Sequence, residues 1–152
     1  MDGRTVLVTG GAGFVGSHLV DALAERGARV RVFDNLDAQV HGPERSPPPW
    51  LNSSAELLRG DVRDRGALEE ALDGVDVVYH LAAAVGVGQS MYRIAPYTAV
   101  NSLGTANLLQ ALVDRQRKPR LVVASSMSIY GEGRYRRRDG GTPGVSTRTA
   151  EQ

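Results

Sequence analysis

The sequence predicts an α/β protein, a doubly wound parallel sheet of about five strands in the order 3-2-1-4-5, seen here in incomplete form. Three observations predict it. Short apolar runs alternate with stretches of helical periodicity, the runs end in glycine, acidic or small residues, and a glycine cluster sits at the first strand-to-helix junction. Parallel strands need crossover connections, and the right-handed rule leaves few arrangements that cover both faces of the sheet.

The first strand is TVLVTG (5–10), a short apolar run closed by Gly10. FVGSHLVDALAERG (14–27) follows with Val15, Leu19 and Leu23 at helical spacing, and Gly27 stands where a left-handed residue would end the helix. ARVRVFD (28–34) alternates arginine with Val30 and Val32 and reads as strand two. HGPERSPPPW (41–50) cannot be regular structure, because proline removes donors and restricts φ. It reads as part of a surface insertion over 35–54, with a short turn near Leu51. AELLRG (55–60) is strand three, and Asp64 to Asp73 a short helix. VDVVYHLAA (75–83) is strand four. Residues 91–115 carry a long helix with Val100, Leu103, Leu108, Ala111 and Leu112 as its apolar face, and RLVVASS (120–126) is strand five.

Composition bounds the rest. The 152 residues are one domain's worth of chain, 41% hydrophobic and 23% charged, with a net charge of +1. There is no cysteine, and the three histidines, His18, His41 and His80, lack metal-ligand spacing, so no metal centre is expected. No apolar stretch reaches the length of a membrane span and the N-terminus has no secretory pattern, so a cytoplasmic protein is expected. Residues 134–152 hold five arginines against Asp139 and Glu151, are rich in Gly and Thr, and lack apolar period. They read as a disordered, solvated tail and not as a nucleic-acid-binding arm.

The glycine cluster carries the chemistry. TGGAGFVGSHL places Gly10, Gly13 and Gly16 between strand one and helix one. One glycine permits the tight turn, one lets the backbone approach a pyrophosphate, and one lets helix and strand pack closely. The phosphates then meet free N–H groups and the positive end of the helix dipole. Asp34 lies 18 residues beyond Gly16, at the end of strand two. A carboxylate there accepts hydrogen bonds from ribose hydroxyls and repels a 2′-phosphate, which favours NAD over NADP. Residues 1–133 therefore read as an NAD-binding Rossmann domain.

The segments TGGAGFVGSHLV, FDNL, GDVRD, HLAA, NSLGTANLL and SSMSIYG resemble, in order, the extended short-chain dehydrogenase/reductase family in its NAD-dependent epimerase/dehydratase branch. The stretches AAAVGVGQSMY and SSMSIYGEG look most like nucleotide-sugar 4-epimerases of the dTDP-rhamnose or UDP-glucose type. The resemblance implies that Gly10, Gly13, Phe14, Val15 and Gly16 hold the pyrophosphate, Asp34 and Asn35 the adenosine ribose, and Asp61 and Val62 the adenine. Leu81, Ala82 and Ala83 would line the nicotinamide half, and Asn101 would tie the long helix to the strand ends. Ser126 matches the family's catalytic serine, with Met127 and Ser128 beside it toward a nucleotide-sugar substrate. Sugar 4,6-dehydratases carry Asp-Glu where this chain has Met127-Ser128, which counts against a dehydratase.

The family's base and its lysine form Tyr-x-x-x-Lys beyond the serine segment. Four positions after Tyr79, Tyr92, Tyr97, Tyr130 and Tyr135 stand Ala83, Pro96, Asn101, Arg134 and Asp139, so no tyrosine here has that partner. The resemblance fades after about Tyr135, and two accounts are open: a C-terminal truncation, or a tail read out of frame. The family's homodimer would then lose half its interface, and strand five would be an exposed apolar edge. The expected function is an NAD-dependent 4-epimerase acting by transient 4-keto oxidation, inactive as this fragment. The alternatives are a non-catalytic NAD-binding module, or a reductase or dehydratase of the same family.

Overall fold

The computed structural model describes residues 1–116, 118–126 and 138–141. Among the described residues five strands form one parallel sheet in the order β3-β2-β1-β4-β5. They are β1 (Thr5–Thr9), β2 (Arg29–Asp34), β3 (Glu56–Arg59), β4 (Val77–His80) and β5 (Arg120–Val123). The helices are α1 (Phe14–Ala24), α2 (Ala38–His41), α3 (Arg65–Ala71), α4 (Val87–Ser90), α5 (Ile94–Thr98) and α6 (Gly104–Val113). A π-helical turn, Ala99–Leu103, joins α5 to α6 with helical backbone angles on both sides. The expected long helix is thus real from Ile94 onward, with Pro96 in its first turn, where the missing N–H costs nothing.

The period-two pleat sorts the apolar side chains into two layers. Val6 and Val8 of β1, Val30 and Val32 of β2, and Val77 of β4 pack with Val20 and Leu23 of α1. Leu7, Phe33 and Val78 point the other way and pack with Leu68 and Ala71 of α3 and Leu108, Ala111 and Leu112 of α6. A strand buried on both faces needs a continuous apolar run, which is why β1 is apolar from Val6 to Val8, between Thr5 and Thr9.

One expected core position on each of two helices faces outward, while Leu23, Leu108, Ala111 and Leu112 are buried as expected. Val15, expected inside, is 65% exposed, and the buried stripe of α1 is Gly16, Ser17, Val20 and Leu23. Leu103, also expected inside, is 52% exposed, and Gly104 beside it is buried. In each case the glycine faces inward because backbone or side chain of a strand-end loop comes too close for a Cβ. A Cβ on Gly16 would lie 2.2 Å from the Gly10 carbonyl oxygen, and one on Gly104 would lie 2.5 Å from Val62 Cγ2. The apolar neighbour of each glycine is then rotated outward by one helical step.

The proline-rich insertion is mostly irregular, as expected, but its start is ordered. Asp37 caps α2 by accepting from Gln39 N at 2.9 Å, and His41 closes that helix. Asp64 caps α3 by accepting from Ala67 N at 3.1 Å. Of the residues expected to form the tail, only 138–141 are described; Met127, Ser128 and Tyr130 lie outside the described residues. Among the described residues no helix is long and apolar enough to cross a membrane.

Candidate functional site

All five strands run the same way, so their carboxyl ends share one rim of the sheet. The rim brings Gly10 after β1, Asp34 at the end of β2, Asp61 after β3, Leu81 after β4 and Ser126 after β5 to a single edge. Ligands in open α/β sheets bind along this edge, where connections diverge to opposite faces.

At the centre, Gly10 has φ +71°, and a Cβ there would lie 2.8 Å from Ala82 N. The glycine turn can therefore lie against the β4 exit only as bare backbone. The turn feeds α1, whose first residue follows Gly13, and no side chain caps that helix. Its first-turn N–H groups have no intrahelical acceptor, and they carry the positive end of the helix dipole. Phe14 and Val15 are exposed at this mouth, with the Phe14 ring packed edge-on to His18 at 5.2 Å.

On one side of the turn stands Asp34. Its Oδ2 accepts from Ala12 N at 3.1 Å and its Oδ1 from Leu36 N at 2.9 Å. The carboxylate is only 10% exposed, and His41 Nε2 lies 3.9 Å from Oδ1. A carboxylate has about four lone-pair sites, so the two backbone bonds fix its orientation and leave acceptor capacity facing the rim. Asn35 Nδ2 donates to Asp61 Oδ2 at 2.9 Å, linking the ends of β2 and β3. Asp61 is also gripped by Arg63, with Nε to Oδ1 at 2.8 Å and Nη2 to Oδ2 at 2.6 Å. That guanidinium holds the Asp61 carboxyl well below the usual carboxylate range, against an opposing push from partial burial. Val62 turns its side chain into the core against Gly104. Only its backbone faces outward chemistry, and its carbonyl accepts from Asn107 Nδ2 at 3.2 Å.

On the other side, Leu81 and Ala82 are half-buried and Ala83 is exposed, giving a floor of small side chains. Asn101, in the π-helical turn, grips the next residue from both sides. Its Oδ1 accepts from Ala84 N at 2.8 Å, and its Nδ2 donates to the Ala84 carbonyl at 3.0 Å. Asn101 thus sits in a π-helical turn, a conformation frequent at functional positions. Ser126 is exposed, three residues beyond the end of β5.

Sequence reasoning missed one buried group. His80 is 4% exposed, and its two ring nitrogens face the hydroxyls of Thr9, at 2.7 Å, and Thr105, at 3.1 Å. A signal existed: Thr9 and His80 are the polar ends of two apolar runs, and the parallel register sets them opposite one another. Polar groups buried at such positions are paired.

Burial pushes His80 down from its ordinary value near 6.5. A group with a lowered folded pKa binds fewer protons folded than unfolded, so stability is lost as pH falls. For His80 that loss begins below about 6.5, and for Asp61 it begins below about 3.8. Urea midpoints are therefore expected to fall between pH 7.5 and 5, and to fall less in His80→Gln. A midpoint flat across that range in the unsubstituted chain would contradict this.

The fold is the doubly wound parallel sheet typical of dinucleotide-binding domains, and its rim carries an uncapped glycine-rich helix start, an acidic residue ending β2 and alanines after β4. More narrowly, residues 6–149 match the model of the NAD dependent epimerase/dehydratase family, and the chain belongs to that family. It is similar to a dTDP-L-rhamnose 4-epimerase of Burkholderia thailandensis, 38% identical over 143 residues, covering 92% of this chain and 39% of that protein. It is 34% identical to a UDP-N-acetyl-alpha-D-glucosaminuronate decarboxylase of Bacillus cytotoxicus, over 86% of this chain and 39% of that one. Its structure resembles that of a UDP-glucose 4-epimerase from Stenotrophomonas maltophila with bound NAD and formylated UDP-arabinopyranose. The TM-score is 0.72 at 33% identity, covering 86% of this chain and 39% of the other. The chain thus spans about two fifths of the length of the proteins it matches.

Proposed function

We propose that this chain supplies the NAD-binding half of a nucleotide-sugar 4-epimerase of the dTDP-rhamnose or UDP-glucose type. The observation that carries the reading is Asp34, a half-buried carboxylate oriented by the glycine turn's own Ala12 N–H and placed beside the uncapped start of α1. Bound NAD would take hydride from the sugar's C4 and return it to the opposite face. The residues present fit that cofactor. The first-turn N–H groups of Phe14, Val15 and Gly16 hold its pyrophosphate, with Gly10 and Gly13 allowing the approach. Asp34 accepts from the adenosine ribose hydroxyls, with Asn35 at its side. Asp61 and the Val62 backbone border the adenine, and Leu81, Ala82 and Ala83 floor the nicotinamide half, kept in place by Asn101.

The Ser126 hydroxyl donates to the oxygen at C4 of the sugar. A proton acceptor for that hydroxyl is not assigned, because no tyrosine among the 152 residues has a lysine four positions on. That sequence fact supports a second, narrower reading: these residues by themselves bind NAD without turning over a sugar.

The test is calorimetric titration with NAD and NADP, with turnover of UDP-glucose assayed on the same samples. The unsubstituted chain is expected to prefer NAD, and Asp34→Asn to shrink that preference by about tenfold, because the charge that repels a 2′-phosphate is gone. An Asp34→Asn chain with its preference unchanged would remove the support for this reading. Turnover above a buffer blank would overturn the narrower one.

A further inference from the structure

The hydrogen bonds around His80 have only one consistent direction. The Thr105 hydroxyl donates to the Asn101 carbonyl at 2.7 Å, so its proton is committed there. Toward His80, 3.1 Å away, the Thr105 oxygen must therefore accept, and His80 must carry its proton on Nε2. Nδ1 is then a lone pair, and the Thr9 hydroxyl, 2.7 Å away, donates to it. The Thr9 oxygen in turn accepts from Ala82 N at 3.2 Å. The opposite tautomer would set two N–H donors on the Thr9 oxygen and would need the Thr105 proton that the shorter bond to Asn101 already uses.

Followed to its ends, the chain of bonds closes a ring. It starts at Ala82 N–H, passes through Thr9, His80 and Thr105 to Asn101, and returns through the Asn101 side chain to both backbone groups of Ala84. Three elements meet in it: β1, β4 and the helix that runs from the π-helical turn into α6. The segment it encloses is Leu81–Ala84. No charged side chain takes part, and burial alone shifts the imidazole.

We propose that His80 is a positioning residue: held as the neutral Nε2–H tautomer, it links β1 to the long helix and thereby sets the backbone of Leu81–Ala84 against the cofactor's nicotinamide half. The link to the cofactor rests on the NAD-binding reading above; the ring and its tautomer do not. The chemistry explains why a hydroxyl flanks each nitrogen. A hydroxyl can accept on one side and donate on the other, so the direction set at Asn101 reaches Ala82 unbroken.

The experiment uses the 152-residue chain and the variants Thr105→Val and Thr105→Ser. Long-range nitrogen–proton NMR without NAD is expected to show His80 as Nε2–H near pH 7. Thr105→Val is expected to mix the tautomers and to speed amide exchange at Ala82 and Ala84 by about tenfold, leaving Val78 unchanged, and Thr105→Ser to restore both. In the NAD titration, Thr105→Val is expected to weaken binding by about tenfold, with Thr105→Ser again restoring it. An Nδ1–H tautomer, or exchange unaltered in Thr105→Val, overturns the proposal. Unaltered NAD affinity in Thr105→Val, where the unsubstituted chain binds, overturns the positioning role. Failure of the unsubstituted chain to bind NAD counts against the NAD reading, while the spectra and exchange rates still decide the ring.

Discussion

Gly16→Ala is expected to cost the chain about 3 kcal/mol or more and to abolish NAD binding. The added Cβ would lie 2.2 Å from the Gly10 carbonyl oxygen, 2.7 Å from Gly11 Cα and 2.9 Å from the Gly10 carbonyl carbon. All three are backbone atoms, so no rotamer change relieves the overlap; α1 and the glycine turn must separate. Alanine's better helix propensity offsets this by about 1 kcal/mol at most, so the clash wins. Stability of the whole domain is only about 5–15 kcal/mol, so the loss is a large share of it. Gly88→Ala in α4, where a Cβ would meet nothing beyond its own helix within 4 Å, is the control and is expected to be neutral. Urea denaturation of both variants, with an NAD titration below the transition, reads the outcome. A Gly16→Ala chain as stable as Gly88→Ala would show that α1 does not approach the turn as described.

Leu108→Ala is expected to destabilise by about 2–5 kcal/mol, and Leu103→Ala by about 0.5 kcal/mol or less. Leu108 is 0% exposed and belongs to the layer that seats α6 and α3 on the sheet. Its truncation removes transfer energy and leaves a cavity that the surrounding β1 and β4 side chains cannot collapse into. Leu103 points outward because Gly104 takes the inward position against Val62. The pair therefore tests the phase of the helix by itself. Equal losses at the two positions would mean that the helix is rotated from the arrangement described here.

The same pair shows how much of the molecule was legible in the sequence. Strand order, helix placement and the rim were readable, because apolar runs, period 3.6 and right-handed crossovers leave few arrangements for five parallel strands. Single positions on α1 and the long helix were not, although Leu23, Leu108, Ala111 and Leu112 lie inside as read. Periodicity rewards the large apolar residue, and so Val15 and Leu103 read as core, while the contact that phases each helix is made by a glycine with no side chain to signal it. The π-helical turn was equally silent, since one inserted residue leaves no compositional mark. Asn101 was legible as a tie between helix and strand end, but its two-sided grip on Ala84 needed coordinates. The His80 ring lay in between. Thr9 and His80 each close an apolar run, but neither was singled out there, and only the register shows that they face one another.

The proposed NAD site, the rim built from Gly10–Gly16, Asp34 and Leu81–Ala84, stands or falls on calorimetric titration of the unsubstituted 152-residue chain with NAD and NADP side by side. Saturable one-to-one NAD binding with weaker binding of NADP is expected; no NAD binding, or tighter binding of NADP, would refute the assignment.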